Sequence, residues 1–307
     1  MFMKIAYELP NGVLTNDDLV SQFPEWTSEK IVAKTGIVSR HVVSENETAL
    51  DLADRAAQRL FSKCGIEPSS IDFLILCTQS SEYRLPSSAC LLQNRLGIPT
   101  TAGAVTIDHG CSGFIYGLSL AKGLINGGMA KNVLLITAET YTKYLDPKDK
   151  STRSIFGDGA AATLIDLEAD SNIGAFSFGT DGSGAEKLIV RNDRLFMDGP
   201  EIFNFTLDIV PKTMEDVLCK NKLTRDEIDL YVFHQANKFM LDTIRKVNGF
   251  PKDKFYVNIE NTGNTVSCTI PIALKQLEDM GRLQSGMKIM LMGFGVGLSW
   301  GATVLTV

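Results

Sequence analysis

Short apolar runs alternate along this chain with longer stretches in which apolar residues recur every three or four positions. These are the periods of buried strands and of packed helices. The runs Phe73–Cys77, Ala104–Ile107, Asn132–Thr137 and Ala161–Ile165 predict strands in the first part of the chain. Leu230–Phe233, Lys288–Met292 and Ala302–Leu305 predict strands in the second. Helical spacing covers Thr48–Cys64, Ser87–Leu96, Cys111–Asn126, Phe205–Asn221, Ala236–Val247 and Thr269–Met280. Strands alternating with helices define an α/β protein.

The two parts echo each other. Ile66 to Leu76 and Leu223 to Phe233 share one pattern, a polar turn followed by an apolar strand, with Ile71 and Ile228 set 157 residues apart. The strand at 132–137 followed by Gly159-Ala160-Ala161 matches the strand at 288–292 followed by Gly301-Ala302-Thr303. Two matches in the same order imply a duplicated α/β unit, with halves at 1–165 and 166–307. Such halves pack with buried faces together, which accounts for a helix as apolar as 111–126.

Composition narrows the function classes. The chain has 307 residues, 44% apolar and 21% charged, with a net charge of −6. These totals fit a globular protein with a large core. No basic footprint or zinc-finger spacing points to nucleic acid, and no cluster points to a metal. The uncharged stretch around Cys111, from His109 to Ala121, is too short to span a bilayer. The N-terminus opens on Met3-Lys4-Ile5-Ala6-Tyr7 with no signal-like apolar region. Six scattered cysteines form no disulfide framework, so a reducing, cytoplasmic setting is expected. Cys64, Cys77, Cys90, Cys219 and Cys268 read as small buried hydrophobes.

Cys111 stands apart. It lies in Asp108-His109-Gly110-Cys111-Ser112-Gly113-Phe114, where an apolar run meets a helical pattern. A helix start favours thiolate and is expected to lower the thiol's pKa. His234 ends an apolar strand just where the chain turns polar, in Phe233-His234-Gln235-Ala236-Asn237, and strand ends line α/β active sites. Asn264 lies in Asn261-Thr262-Gly263-Asn264-Thr265, which taken alone is an ordinary turn. His41 and His109 read as structural. Gly157-Asp158-Gly159 and Gly293-Phe294-Gly295-Val296-Gly297 lack the lysine and spacing of a phosphate loop. They read as tight turns or as amides aimed at an oxyanion. Cys111 in the first half, with His234 and Asn264 in the second, places a site at the interface of the halves.

Taken together the motifs resemble the β-ketoacyl-acyl-carrier-protein synthase III family of the thiolase-like superfamily. They are Thr35-Gly36-Ile37 with Glu45-Asn46-Glu47-Thr48, Cys111-Ser112-Gly113-Phe114, Phe156-Gly157-Asp158-Gly159-Ala160, His234-Gln235-Ala236-Asn237, Gly263-Asn264-Thr265, and Gly293-Phe294-Gly295 with Trp300-Gly301. The resemblance covers nearly the whole chain. It implies an α/β thiolase-like fold, duplicated halves in a five-layer αβαβα sandwich, and a homodimer. It implies Cys111 as the nucleophile acylated by an acyl-CoA, and His234 and Asn264 in the malonyl half-reaction. Lys34, Thr35, Gly199, Phe203, Ala236 and Asn237 would meet substrate or CoA. The backbone amides of Cys111 and Val296 would hold an oxyanion. Lys238, Arg245 and Lys246 keep a basic patch for acyl carrier protein. No cofactor is implied, since the acyl-CoA and malonyl carrier protein are substrates.

Some positions depart from the family pattern. Lys30 stands where a tryptophan that stacks on the CoA adenine is frequent, with Trp26 earlier. Lys34 replaces an arginine, Phe239 another arginine, and Leu85 a phenylalanine that reaches into the partner's acyl pocket. Asp108-His109 is unusual before the cysteine. Two further readings stay open here: a relative in a specialised or cell-surface pathway with a different starter, and a non-catalytic thiolase-fold partner.

Overall fold

The structure is a computed structural model that describes residues 3–307. Two mixed sheets form its frame. The first has strand order Lys4–Glu8, Gly159–Ile165, Val133–Glu139, Phe73–Cys77, Gly103–Ile107. Its first two pairings are antiparallel and its last two parallel. The second runs Ile173–Thr180, Ser299–Thr306, Lys288–Gly295, Leu230–Phe233, with two antiparallel pairings and then a parallel one. A parallel bridge from Tyr231 to Phe255 stands where the fifth strand would be. The second sheet thus repeats the order and directions of the first.

Helices fill three layers around these sheets. Ala49–Cys64 and Ser88–Arg95 cover the outer face of the first sheet through Leu52, Ala56, Leu60 and Leu92. Gly199–Asn221 and Lys238–Val247 cover the outer face of the second through Val210, Met214, Leu241 and Ile244. Gly113–Asn126 and Thr269–Asp279 lie between the sheets. A side chain at Gly117 would strike Leu135 of the first sheet, while Gly301 of the second lies against Ile115. The result is the five-layer αβαβα sandwich. The apolar 113–126 helix buries Phe114, Leu118 and Ala121 completely because most of its surface faces the two sheets, with Leu120 left exposed.

Helix ends follow their capping residues. Thr48 and Asp51 form a reciprocal capping box before Ala49. Asp198 accepts the Glu201 N–H and Pro200 follows, so that helix begins at Gly199, six residues before the expected Phe205. Asn237 caps the next helix through the Met240 N–H, so it starts at Lys238 and not at Ala236. Among the described residues no helix is long and apolar enough to cross a membrane.

Three expectations meet different outcomes. Cys90 and Cys219 are exposed and Cys64 is half-buried, leaving Cys77, Cys111 and Cys268 as the buried thiols. The Gly157-Asp158-Gly159 turn spends its first two amides on the Asn264 and His41 carbonyls, so it is a tight turn that frees neither for an oxyanion. Its buried carboxylate accepts from the Val43 and Thr142 amides and the Thr142 hydroxyl, and burial raises it to about 6. His109 lies on the ring of Tyr116 with Nδ1 on the Asp108 carbonyl, a structural placement as read.

Candidate active site

Cys111 sits in the turn between strand Gly103–Ile107 and helix Gly113–Asn126. Three glycines let this turn pack. A Cβ at Gly113 would lie 2.3 Å from Cys77 Sγ, and one at Gly293 2.6 Å from the Cys111 carbonyl. One at Gly295 would lie 2.9 Å from Cys111 Sγ. The second glycine-rich stretch is therefore the seat of Cys111. Ser112 Oγ and Ser299 Oγ, 2.7 Å apart, tie the helix start to the 296–299 turn.

The expected lowering of the thiol is not found. Burial, with Glu139 adding to it, pushes Cys111 up to about 12, against the Val296 and Cys111 amides that face the sulfur. A helix terminus supplies at most about 2 kcal/mol, roughly 1.5 pKa units, so desolvation wins. In the free protein the sulfur is a neutral thiol. Alkylation of Cys111 by iodoacetamide, followed on its own peptide, should therefore climb steadily with pH between about 7 and 10. A plateau reached below pH 8 would contradict this.

His234 follows strand Leu230–Phe233, with its backbone N–H on the Met292 carbonyl at 2.8 Å. Its ring is buried edge-on against Phe294. Burial lowers it to about 3, so it is neutral throughout the physiological range. Nδ1 lies 2.8 Å from Thr269 Oγ1, and Nε2 lies 3.5 Å from Asn264 Nδ2. Asn264 is pinned by its backbone: its N–H donates to the Ile155 carbonyl at 2.9 Å and its carbonyl accepts from Gly157 at 3.0 Å. Its Oδ1 accepts the Val266 N–H at 2.9 Å. That bond turns the NH2 end toward His234.

Val266 is buried and β-branched, yet holds φ of 55°. This is an outlier for such a residue. The bond to Asn264 and the turn that follows hold it there. Sequence reading missed Val266 and Thr269, because nothing in their neighbourhood marks a polar role.

Cys111, His234 and Asn264 line the inner part of one cavity of about 610 Å³. Lys34, Thr35, Gly199, Phe203, Ala236 and Asn237 all line it too. Trp26 also lines it, with the Lys150 ammonium 5.3 Å from its ring centroid. Trp26 thus supplies an aromatic face to the cavity although Lys30 occupies the family's usual position. Phe239, 59% exposed, stacks on Phe203 where an arginine was the family pattern. Tyr141 donates to Gln79 Oε1 at 2.5 Å, and that oxygen lies against Gly110, the residue before Cys111.

Glu139 was also missed. Its buried carboxyl accepts from the Gln79 amide and from the Ser80 and Ser267 hydroxyls, joining loops of both sheets, and burial raises it to about 8. Lys238 and Lys246 are exposed, but Arg245 is half-buried, with one N–H on the Phe250 carbonyl. Among the described residues no group of three or more His, Cys, Asp or Glu could hold a metal.

A neutral thiol, a neutral imidazole and an oriented carboxamide in a duplicated thiolase-like sandwich define the class of condensing acyltransferases. Family models described as 3-oxoacyl-[acyl-carrier-protein] synthase III match residues 106–182 and, for its C-terminal part, 218–307. The β-ketoacyl-[acyl-carrier-protein] synthases III of Chelativorans sp. and Streptococcus uberis are each 36% identical, covering 98% of this chain and 97% of their own. A crystal structure of a 3-oxoacyl-(acyl-carrier-protein) synthase III matches with a TM-score of 0.95 at 48% identity, over 99% of this chain and 98% of that one. The structure of the enzyme from Thermus thermophilus matches with a TM-score of 0.92 at 34% identity, over 99% and 98%. This chain belongs to the 3-oxoacyl-[acyl-carrier-protein] synthase III family.

Proposed function

We propose that this protein condenses an acyl-CoA starter with malonyl-acyl-carrier-protein, giving a 3-oxoacyl-acyl-carrier-protein and initiating fatty acid synthesis. The observation that carries this reading is the convergence of Cys111, His234 and Asn264 at the inner end of one cavity. In the first half-reaction the Cys111 sulfur attacks the acyl-CoA carbonyl. A C–S bond forms, the CoA C–S bond breaks, and the thiol proton leaves on CoA. The Cys111 and Val296 amides stabilise the transient oxyanion. In the second, malonyl thioester loses CO₂, and the electron pair of the broken C–C bond becomes an enolate. His234 Nε2 and Asn264 Nδ2 donate to its oxygen. The enolate carbon attacks the acyl-cysteine, Cys111 leaves, and one proton from solvent restores the thiol. The reaction so written is ping-pong and uses no metal or cofactor.

Finer parts of the reading rest on placement. Lys34, Thr35, Gly199, Phe203, Ala236 and Asn237 contact the CoA and pantetheine arm, with Trp26 offering its ring to the adenine. Strand Gly103–Ile107 is a sheet edge, and Leu85 nearby is 86% exposed. Both features support pairing with a second copy in a homodimer. Six free cysteines support a cytoplasmic location. The two halves, 1–165 and 166–307, contribute the nucleophile and the decarboxylation pair respectively.

Purified protein given acetyl-CoA and malonyl-acyl-carrier-protein should release CO₂ and form 3-oxobutyryl-acyl-carrier-protein. Failure with every short acyl-CoA would defeat the proposal. In the same assay, Lys238→Glu with Lys246→Glu should raise KM for malonyl carrier protein by about tenfold, more steeply at low salt. A small malonyl thioester should be used as before. An unchanged KM would mean that this helix face is merely solvated.

A further inference from the structure

We propose that the Thr269 hydroxyl sets His234 as a hydrogen-bond donor at Nε2, making Thr269 a positioning residue for the decarboxylation step. The inference deepens the proposed function and rests on it. A neutral imidazole carries one proton on one of two nitrogens, and its two tautomers present opposite faces to a ligand. Only the Nε2–H form can help Asn264 to stabilise an enolate. The other form would aim a lone pair at it.

Thr269 Oγ1 has one proton and two acceptors within reach. His234 Nδ1 is 2.8 Å away and the Val266 carbonyl 3.1 Å away. The Val266 carbonyl already accepts the backbone N–H of Thr269 as the turn enters its helix. The Val266 carbonyl also reaches the His234 ring, but it already holds the Thr269 N–H, so the hydroxyl proton goes to Nδ1. Nε2 then carries the ring proton.

The far side of the ring supports the same tautomer. Asn264 is fixed with Oδ1 on the Val266 N–H, so its Nδ2 faces Nε2 as a donor. The separation of 3.5 Å is long for a hydrogen bond between them, which normally spans about 2.7–3.2 Å. It suits two donors converging on one oxygen from the cavity. Both halves of that pair are held from behind by the 266–269 turn: Asn264 by the Val266 amide, and His234 by the Thr269 hydroxyl.

Thr269→Val keeps the shape and removes the hydroxyl, whereas Thr269→Ser keeps the hydroxyl. Without it, Nδ1 has no donor and the Val266 carbonyl can take an Nδ1–H instead. Condensation with malonyl-acyl-carrier-protein should fall about 10²-fold in Thr269→Val, the scale of losing one oxyanion donor. Acylation of Cys111 by acetyl-CoA, read by intact mass, should stay within about threefold, and Thr269→Ser should keep both steps.

The direct readout is ¹⁵N NMR of ring-labelled histidine. The chain has only three histidines, and His41→Gln and His109→Gln assign the other two. Wild type should show Nε2 protonated, and Thr269→Val should show the proton moved to Nδ1. Three results would overturn the proposal: a protonated Nδ1 in wild type, undiminished condensation in Thr269→Val, or acylation and condensation falling together in that variant. If no acyl-CoA acylates even the wild type, the proposed function fails instead, while the wild-type spectrum still decides the tautomer.

Discussion

Cys111→Ala is expected to lower condensation by on the order of 10⁴-fold or more, the scale seen when a covalent nucleophile is removed. No acyl adduct should appear on the variant after incubation with acetyl-CoA. The reason is positional. Among the described residues Cys111 is the one thiol lining the cavity, with the Cys111 and Val296 amides facing its sulfur. Cys77 and Cys268 are buried behind it, their thiols raised by burial, and Cys90 and Cys219 lie on the surface. A residual rate above this range would mean that another group carries the acyl chain. An adduct on Cys90 or Cys219 in wild type would mean the same.

Asn264→Ala should slow condensation by about 10²-fold or more while acylation of Cys111 changes much less. The carboxamide has no contact that would serve the first half-reaction, since its Oδ1 is held by Val266 and its Nδ2 faces His234. The variant loses one donor to the enolate, and the Val266 amide loses its partner. Single-turnover mass measurements of acylation, set beside steady-state condensation, separate the two steps. Equal losses in both would contradict the division of labour between Cys111 and the His234–Asn264 pair.

The short, fully apolar strands were legible in the sequence because their runs are bounded by polar residues. Phe73–Cys77 and Leu230–Phe233 match the predicted runs at both ends. Strands with one wet face were not legible. Ile173–Thr180 has a mixed buried and exposed pattern, and the ribbon of Gly12–Thr15 with Ser39–Val42 is half-exposed throughout most of its length. The duplicated sheet order was visible as an echo of turn and strand, because both halves solve the same packing problem with similar residues.

The site divides in the same way. Cys111 and His234 could be proposed because glycines and polar residues interrupt apolar elements there, and Asn264 through the family resemblance alone; the structure brings all three to one cavity. Thr269 and Val266 could not, since the tautomer and the carboxamide orientation depend on contacts made only after folding. Trp26 was displaced by four positions from the family pattern, yet the fold returns its ring to the cavity, with Lys150 over it. The direction of the Cys111 shift was misread because a helix start is visible in sequence and the depth of burial is not.

The central claim is that one acyl group passes through Cys111 on its way to a carbon–carbon bond. The most direct test is a chase on the acyl-enzyme. Wild-type protein is incubated with acetyl-CoA, freed of excess CoA ester, and mapped by mass. It should carry one acetyl group, on the peptide containing Cys111. Malonyl-acyl-carrier-protein is then added without further acyl-CoA. The acetyl mass should disappear from Cys111 as 3-oxobutyryl-acyl-carrier-protein appears in equal amount. An acetyl group on any other residue, or an acetyl-Cys111 that persists while product forms, would contradict the account.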